Sequence, residues 1–253
     1  MNDSTITIVT LLPDLLGTYG DGGNSVVLQQ RLQWREIRSE RIDATAGASI
    51  PESGDIYLVG GGEDGPQTQA ARELRDSGAL RRAVDRGAVV LAVCAGMQIL
   101  GHRFPDADRT LHEGLGLLDC TTDATDQPRA VGELLTAPAA LHVDGRTFDL
   151  GTLTGFENHA GRTTPGATAR TLATVAEGVG NGDGSEGIVD GRVIGTYLHG
   201  PALARNPALA DAILTIATGL DLEPLDDSEI EQLRAERIEA ARRHELAPRR
   251  WRR

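Results

Sequence analysis

The sequence predicts an α/β fold: a mostly parallel β-sheet flanked by helices, with an antiparallel extension in the second half of the chain. Three observations carry this. Short apolar runs alternate with helical patterns through the first hundred residues, as they do where crossover helices join parallel strands. The run at 88–93, AVVLAV, is continuously apolar and rich in Val, the pattern of a strand buried on both faces. Hydrophobic residues make up 40% of the chain but aromatic ones only 3%, so the core must be built from Val, Leu, Ile and Ala, which suits such a sheet.

Taken in order, 5–12 (TITIVTLL) reads as a buried first strand. A Gly/Asp loop at 17–23 and an amphipathic helix over 24–36 follow, with Asn24 as the expected N-cap. Residues 56–59 (IYLV) form a second strand running into Gly60, Gly61 and Gly62, and a helical stretch over 67–86 is expected to break near Gly78. The central strand 88–93 runs straight into Cys94, with a helix over 96–100 beyond it. After Leu115 the pattern changes to shorter strands with Gly and Thr turns, at about 115–153 and 169–175. The segments 187–189 and 192–197 flank Asp190-Gly191 and predict a hairpin, because Asp-Gly accepts the positive φ angles of a tight turn. Helices over 207–216 and 228–244 complete the pattern, the last with acids early and arginines late, as the helix dipole prefers.

The expected organisation is one domain over 1–220, a helical extension over 221–246 and an Arg-rich tail, APRRWRR, at 247–253. The tail reads as solvated, with contact to an acidic partner or an anionic membrane surface as the alternative. A net charge of −12 disfavours nucleic acid as a partner. No apolar run approaches the roughly 18 residues of a membrane span, and the first residues lack a signal-peptide pattern, so a cytoplasmic location is expected. All 25 basic residues are Arg. Without Lys there is neither a Walker A phosphate loop nor a Schiff base.

Two cysteines, Cys94 and Cys120, are too few for a disulfide framework and show no zinc-type spacing. Cys120, within LLDCTT, reads as a buried structural thiol. Cys94 stands between a buried strand and a helix, with the small neighbours Ala92, Ala95 and Gly96 that a sharp turn requires. A nucleophile held there is exposed above the sheet edge, next to backbone N–H groups that can receive an oxyanion.

AVCAGMQILG at 92–101 resembles the nucleophile elbow of class I glutamine amidotransferases, most closely the cobyric-acid synthase type, with Ala92 where Gly is commoner. VGGGED at 59–64 resembles that family's oxyanion loop, GTYLHG at 195–200 its histidine strand end, and GFENHAGRT at 155–163 a further element of the same group. The resemblance implies a flavodoxin-like sheet with Cys94 as nucleophile and His199 as its base. It also implies oxyanion donors at Gly61, Gly62 and Ala95, and glutamine contacts from Arg129 and Gln98. His159 reads equally well as a rim residue or a structural one. Many class I members carry a Glu two positions after the histidine; Pro201 stands there in this chain, as in the cobyric-acid type. A carboxylate from a partner chain is therefore the expected orienter of His199.

TYGDGGNSVVLQQRLQWREI at 18–37 resembles the amidotransferase subunits of lipid II isoglutaminyl synthases. That branch implies L-glutamine as substrate and a MurT-like Mur ligase as heterodimer partner. The partner would carry ATP and lipid II, with no cofactor in this chain. The alternatives are an amidotransferase for another ATP-dependent amidation, a non-catalytic scaffold of the same fold, and a cysteine peptidase.

Overall fold

The computed structural model describes residues 5–246, with side chains described as far as Arg242. The Arg-rich tail and the side chain of His244 lie outside the described residues.

The chain opens with β1 (Ile6–Leu11), α1 (Gly23–Gln33), β2 (Ser39–Ala44) and β3 (Ile56–Val59). The long helical stretch is α2 (Asp64–Ser77) and α3 (Ala79–Asp85), separated at Gly78, whose φ of 61° a glycine accepts without strain. After β4 (Val89–Val93) and α4 (Ala95–Leu100) come eight strands: β5 (Arg103–Pro105), β6 (Leu111–Glu113), β7 (Cys120–Asp123), β8 (Ala130–Val143), β9 (Arg146–His159), β10 (Arg162–Pro165), β11 (Ala173–Glu177) and β12 (Ser185–Glu186). The hairpin β13 (Ile188–Asp190) and β14 (Val193–Thr196) turns at Gly191, φ 54°, as Asp-Gly predicted. Helices α5 (Ala202–Arg205), α6 (Pro207–Thr218) and α7 (Ser228–Leu246) follow.

The central sheet has the order β13-β14-β4-β3-β1-β2, parallel throughout except for β13. This is the flavodoxin-like order with an antiparallel edge strand. Every residue of β3, β4 and β14 is buried, which explains their unbroken apolar sequences. β2, SERIDA, carries no such run because it is a partly exposed edge, and periodicity does not reveal it. The antiparallel region is more extensive than its turn-rich sequence suggests. β8 and β9 are 14 residues each and form, with β11 and β12, a separate four-stranded sheet.

Two side chains, one at each end, tie α1 into the fold. Asn24 is not the N-cap; that position is Gly22, and the Asn24 Oδ1 accepts the Leu203 N–H at 2.9 Å, bracing the chain beyond β14. Buried Arg31 pairs with Asp211 at 2.6 Å and Asp227 at 2.8 Å, tying α1 to α6 and to the approach to α7. No helix among the described residues is long and apolar enough to cross a membrane.

Candidate active site

Parallel sheets place their binding crevice at the carboxyl ends of the strands, and the residues singled out from sequence gather there. β4 ends at Val93 and α4 starts at Ala95, leaving Cys94 alone at the turn with φ 51° and ψ −108°. A non-glycine residue held there costs about 1–3 kcal/mol and persists only when its surroundings over-determine it. They do: the Cys94 N–H donates to the Thr196 carbonyl at 2.8 Å, and its own carbonyl accepts the Gln98 N–H at 3.0 Å. A Cβ on Gly96 would lie 2.5 Å from the Val59 carbonyl oxygen, so the elbow needs glycine where α4 crosses β3. The Cys94 sulfur faces the Asn158 carbonyl at 3.9 Å.

His199 follows β14 closely and is held by reciprocal backbone bonds with Phe156 of β9, at 2.8 and 3.2 Å. Its ring is buried, with Tyr19 packed edge-on at 5.0 Å between centroids. Nδ1 lies 3.1 Å from Asp21 Oδ2 and 3.2 Å from Oδ1. Nε2 has no hydrogen-bond partner, leaving it available to Cys94. Burial disfavours the imidazolium, but the Asp21 carboxylate and then the Cys94 sulfur outweigh it, and the pKa is pushed up to about 10. Cys120, by contrast, is buried in the core and desolvation pushes its thiol up to about 12, so it stays an inert thiol.

The glycine loop needs one correction. The Gly61 N–H was expected to serve the oxyanion, but it donates to Asp21 Oδ2 at 2.8 Å. Glycine is required at 61 for room, since a Cβ there would stand 2.6 Å from the His199 ring. Gly62 and Ala95 do line the cleft beside Cys94. The orienting carboxylate, sought in a partner chain, is supplied here by Asp21 of the same chain.

Arg129 sits exposed on the rim, where its Nε donates to Asn158 Oδ1 at 2.6 Å and Nη2 to the Asn158 carbonyl at 3.3 Å. Asn158 in turn donates from Nδ2 to the Tyr19 hydroxyl at 2.5 Å. Gln98 borders the cleft but its amide is committed within the protein: Oε1 accepts from Gln67 at 2.8 Å and Nε2 donates to the Tyr197 hydroxyl at 3.1 Å. It braces the floor below Cys94. His159 belongs to the same floor, stacked on Tyr197 at 3.7 Å and bonded to Glu157 at 3.1 Å. Among the described residues no cluster of three or more His, Cys, Asp or Glu is placed to hold a metal ion.

Asp21, Tyr19 and Asn158 were not assigned from sequence. Asp21 and Tyr19 lie in the TYGDGGN stretch that selected the family branch, and Asn158 lies in GFENHAGRT. The signal was present, but an Asp among glycines reads as a turn until the sheet edge brings it to a histidine.

Comparison with known proteins identifies the family. Residues 7–207 match the CobB/CobQ-like glutamine amidotransferase domain. The chain is 36% identical to the lipid II isoglutaminyl synthase subunit GatD of Staphylococcus aureus, over 92% of this chain and 94% of that one. It is 31% identical to GatD of Streptococcus pneumoniae, over 84% and 80% respectively. A Jannaschia cobyric acid synthase is 37% identical over 61% of this chain but only 31% of its own length. Among solved structures, a glutamine amidotransferase superposes with a TM-score of 0.54 at 21% identity, over 83% of this chain and 98% of that one. The chain belongs to the CobB/CobQ-like glutamine amidotransferase family and is a glutamine-hydrolysing amidotransferase subunit.

Proposed function

We propose that this subunit hydrolyses L-glutamine through a Cys94 thioester and passes the ammonia to a MurT-like, ATP-dependent Mur ligase. That partner would amidate the D-glutamate α-carboxylate of lipid II to D-isoglutamine during peptidoglycan synthesis, at the cytoplasmic face of the membrane. The observation that carries the reading is near end-to-end similarity to GatD of S. aureus, together with a cysteine at a strained elbow beside a buried histidine whose Nε2 is free. Similarity over 94% of GatD's length, against 31% of a cobyric acid synthase's, favours the lipid II pathway over that one.

In the proposed chemistry the Cys94 thiolate attacks the side-chain amide carbon of glutamine. Charge moves to the carbonyl oxygen, and the backbone N–H groups of Gly62 and Ala95, which line the cleft, are assigned to receive it. With its pKa near 10, His199 begins protonated and gives its Nε2 proton to the departing nitrogen, so ammonia leaves and the thioester forms. The now neutral ring takes a proton from water, the hydroxide attacks the thioester, and glutamate departs as the thiolate returns. Arg129, held by Asn158, offers a two-donor match to the substrate α-carboxylate.

The test is glutamate release and lipid II amidation by the co-purified heterodimer, with Cys94→Ala as comparison. The wild-type complex should use glutamine, and the variant should amidate only when supplied with ammonium. Undiminished glutamine-dependent amidation by Cys94→Ala would refute the proposal.

A further inference from the structure

We infer that Asp21 is the third member of this site, a positioning residue whose one carboxylate holds the Nδ1 side of His199 and anchors the glycine loop after β3. The inference rests on the reading of Cys94 and His199 as the reacting pair. Asp21 is 4% exposed. An unpaired carboxylate at that depth is costly, so what faces it is informative. Oδ2 accepts the Gly61 N–H at 2.8 Å and lies 3.1 Å from His199 Nδ1, and α1 begins two residues later, its positive end favouring an anion.

The loop that carries Asp21 is clamped from both sides. Thr18 donates its N–H to the Gly61 carbonyl at 3.1 Å, joining the loop to β3. On the other side Gly23 meets Pro201, so closely that an added Cβ would stand 2.3 Å from the proline ring. Pro201 occupies the place where many class I amidotransferases put their Glu. Here that place is a packing surface that seats the Asp21 loop against His199, and the carboxylate arrives from the other end of the chain.

The consequence is a fixed tautomer. With the Nδ1 proton directed to Asp21, the ring that has given up its Nε2 proton is left with Nε2 unprotonated, the state it needs to take a proton from water. Asp21 and Cys94 are the charged groups acting on the ring, Tyr19 contributes its ring face and edge, and Phe156 pairs through its backbone.

The test measures iodoacetamide alkylation of Cys94 in the full chain against pH, with mass spectrometry separating it from Cys120. Asp21→Asn removes the charge that favours the imidazolium, so the sulfur loses the cationic neighbour that promotes its reactive form. Alkylation near pH 6 should be slower by about tenfold or more, with the rates converging at alkaline pH, and Asp21→Glu should recover part of the difference. Superimposable profiles for wild type and Asp21→Asn would overturn the inference. Should Asp21→Asn fail to fold, nitrogen NMR of the wild-type imidazole decides: once the ring turns neutral at alkaline pH the remaining proton should stay on Nδ1, and a neutral ring protonated on Nε2 overturns the inference. Alkylation does not depend on glutamine turnover, so a failure of the proposed function leaves this outcome separately readable.

Discussion

The parallel sheet and the antiparallel sheet meet at the cleft and contribute different things to it. β3, β4 and β14 are short and wholly buried, and the glycine loop, Cys94 and His199 stand at or just beyond their carboxyl ends. β8 and β9 are long and half exposed, with register shifts at Leu135/Pro138 and Ala139/Ala140. They bring Arg129 and Asn158 to the rim, and Phe156 to the back of His199. The proposed reacting atoms thus sit at the ends of wholly buried strands, while the contacts assigned to substrate selection sit on long, partly exposed ones.

This division can be broken most directly at His199. His199→Ala leaves the cysteine without its proton donor and acceptor, and kcat/KM for glutamine hydrolysis should fall roughly 10²–10⁴-fold. A steady-state glutaminase assay of the complex checks this, and a loss below about tenfold would place the base elsewhere. The rim should behave differently. Arg129→Met should raise KM for glutamine about 10–100-fold with kcat little changed, since it removes a binding contact on the antiparallel side only. A fall in kcat alone would mean that the rim takes part in the chemistry.

The smallest effect concerns the seam between the two regions. Glu186 is fully buried; its Oε1 accepts from the Thr196 hydroxyl at 2.5 Å and the Tyr197 N–H at 2.9 Å, while Oε2 has no partner. Burial pushes its pKa up to about 7. Because the folded pKa is above the unfolded one, ionisation costs stability as pH rises from about 4.5 through 7. Glu186→Gln should therefore raise stability above pH 7, by roughly 1–2 kcal/mol, and change little near pH 5. Chemical denaturation at the two pH values checks the sign; equal shifts at both would show that the side chain is already neutral or paired.

Legibility followed burial. Ile56–Val59 and Val89–Val93 declare themselves because a strand covered on both faces can only be apolar. The charged edge strand Ser39–Ala44 does not, and neither do the two 14-residue strands, whose bulges and glycines read as separate short segments. At the site, the turn at Cys94 was legible because its elbow demands small residues on both sides, and His199 was singled out by the resemblance of GTYLHG to a family's strand end. Gly61 was read as an oxyanion donor because the sequence does not say which buried group has already taken its N–H.

By itself the sequence determined the buried strands and the turn at Cys94, since local apolar pattern and backbone crowding act over a few neighbouring residues, and its resemblance to a family singled out Cys94 and His199 as the candidate pair. Only the tertiary structure decided which carboxylate faces Nδ1 of His199. Asp21 and His199 are 178 residues apart, and their contact depends on Gly23 and Pro201 packing loop against loop, a relation that no local pattern encodes.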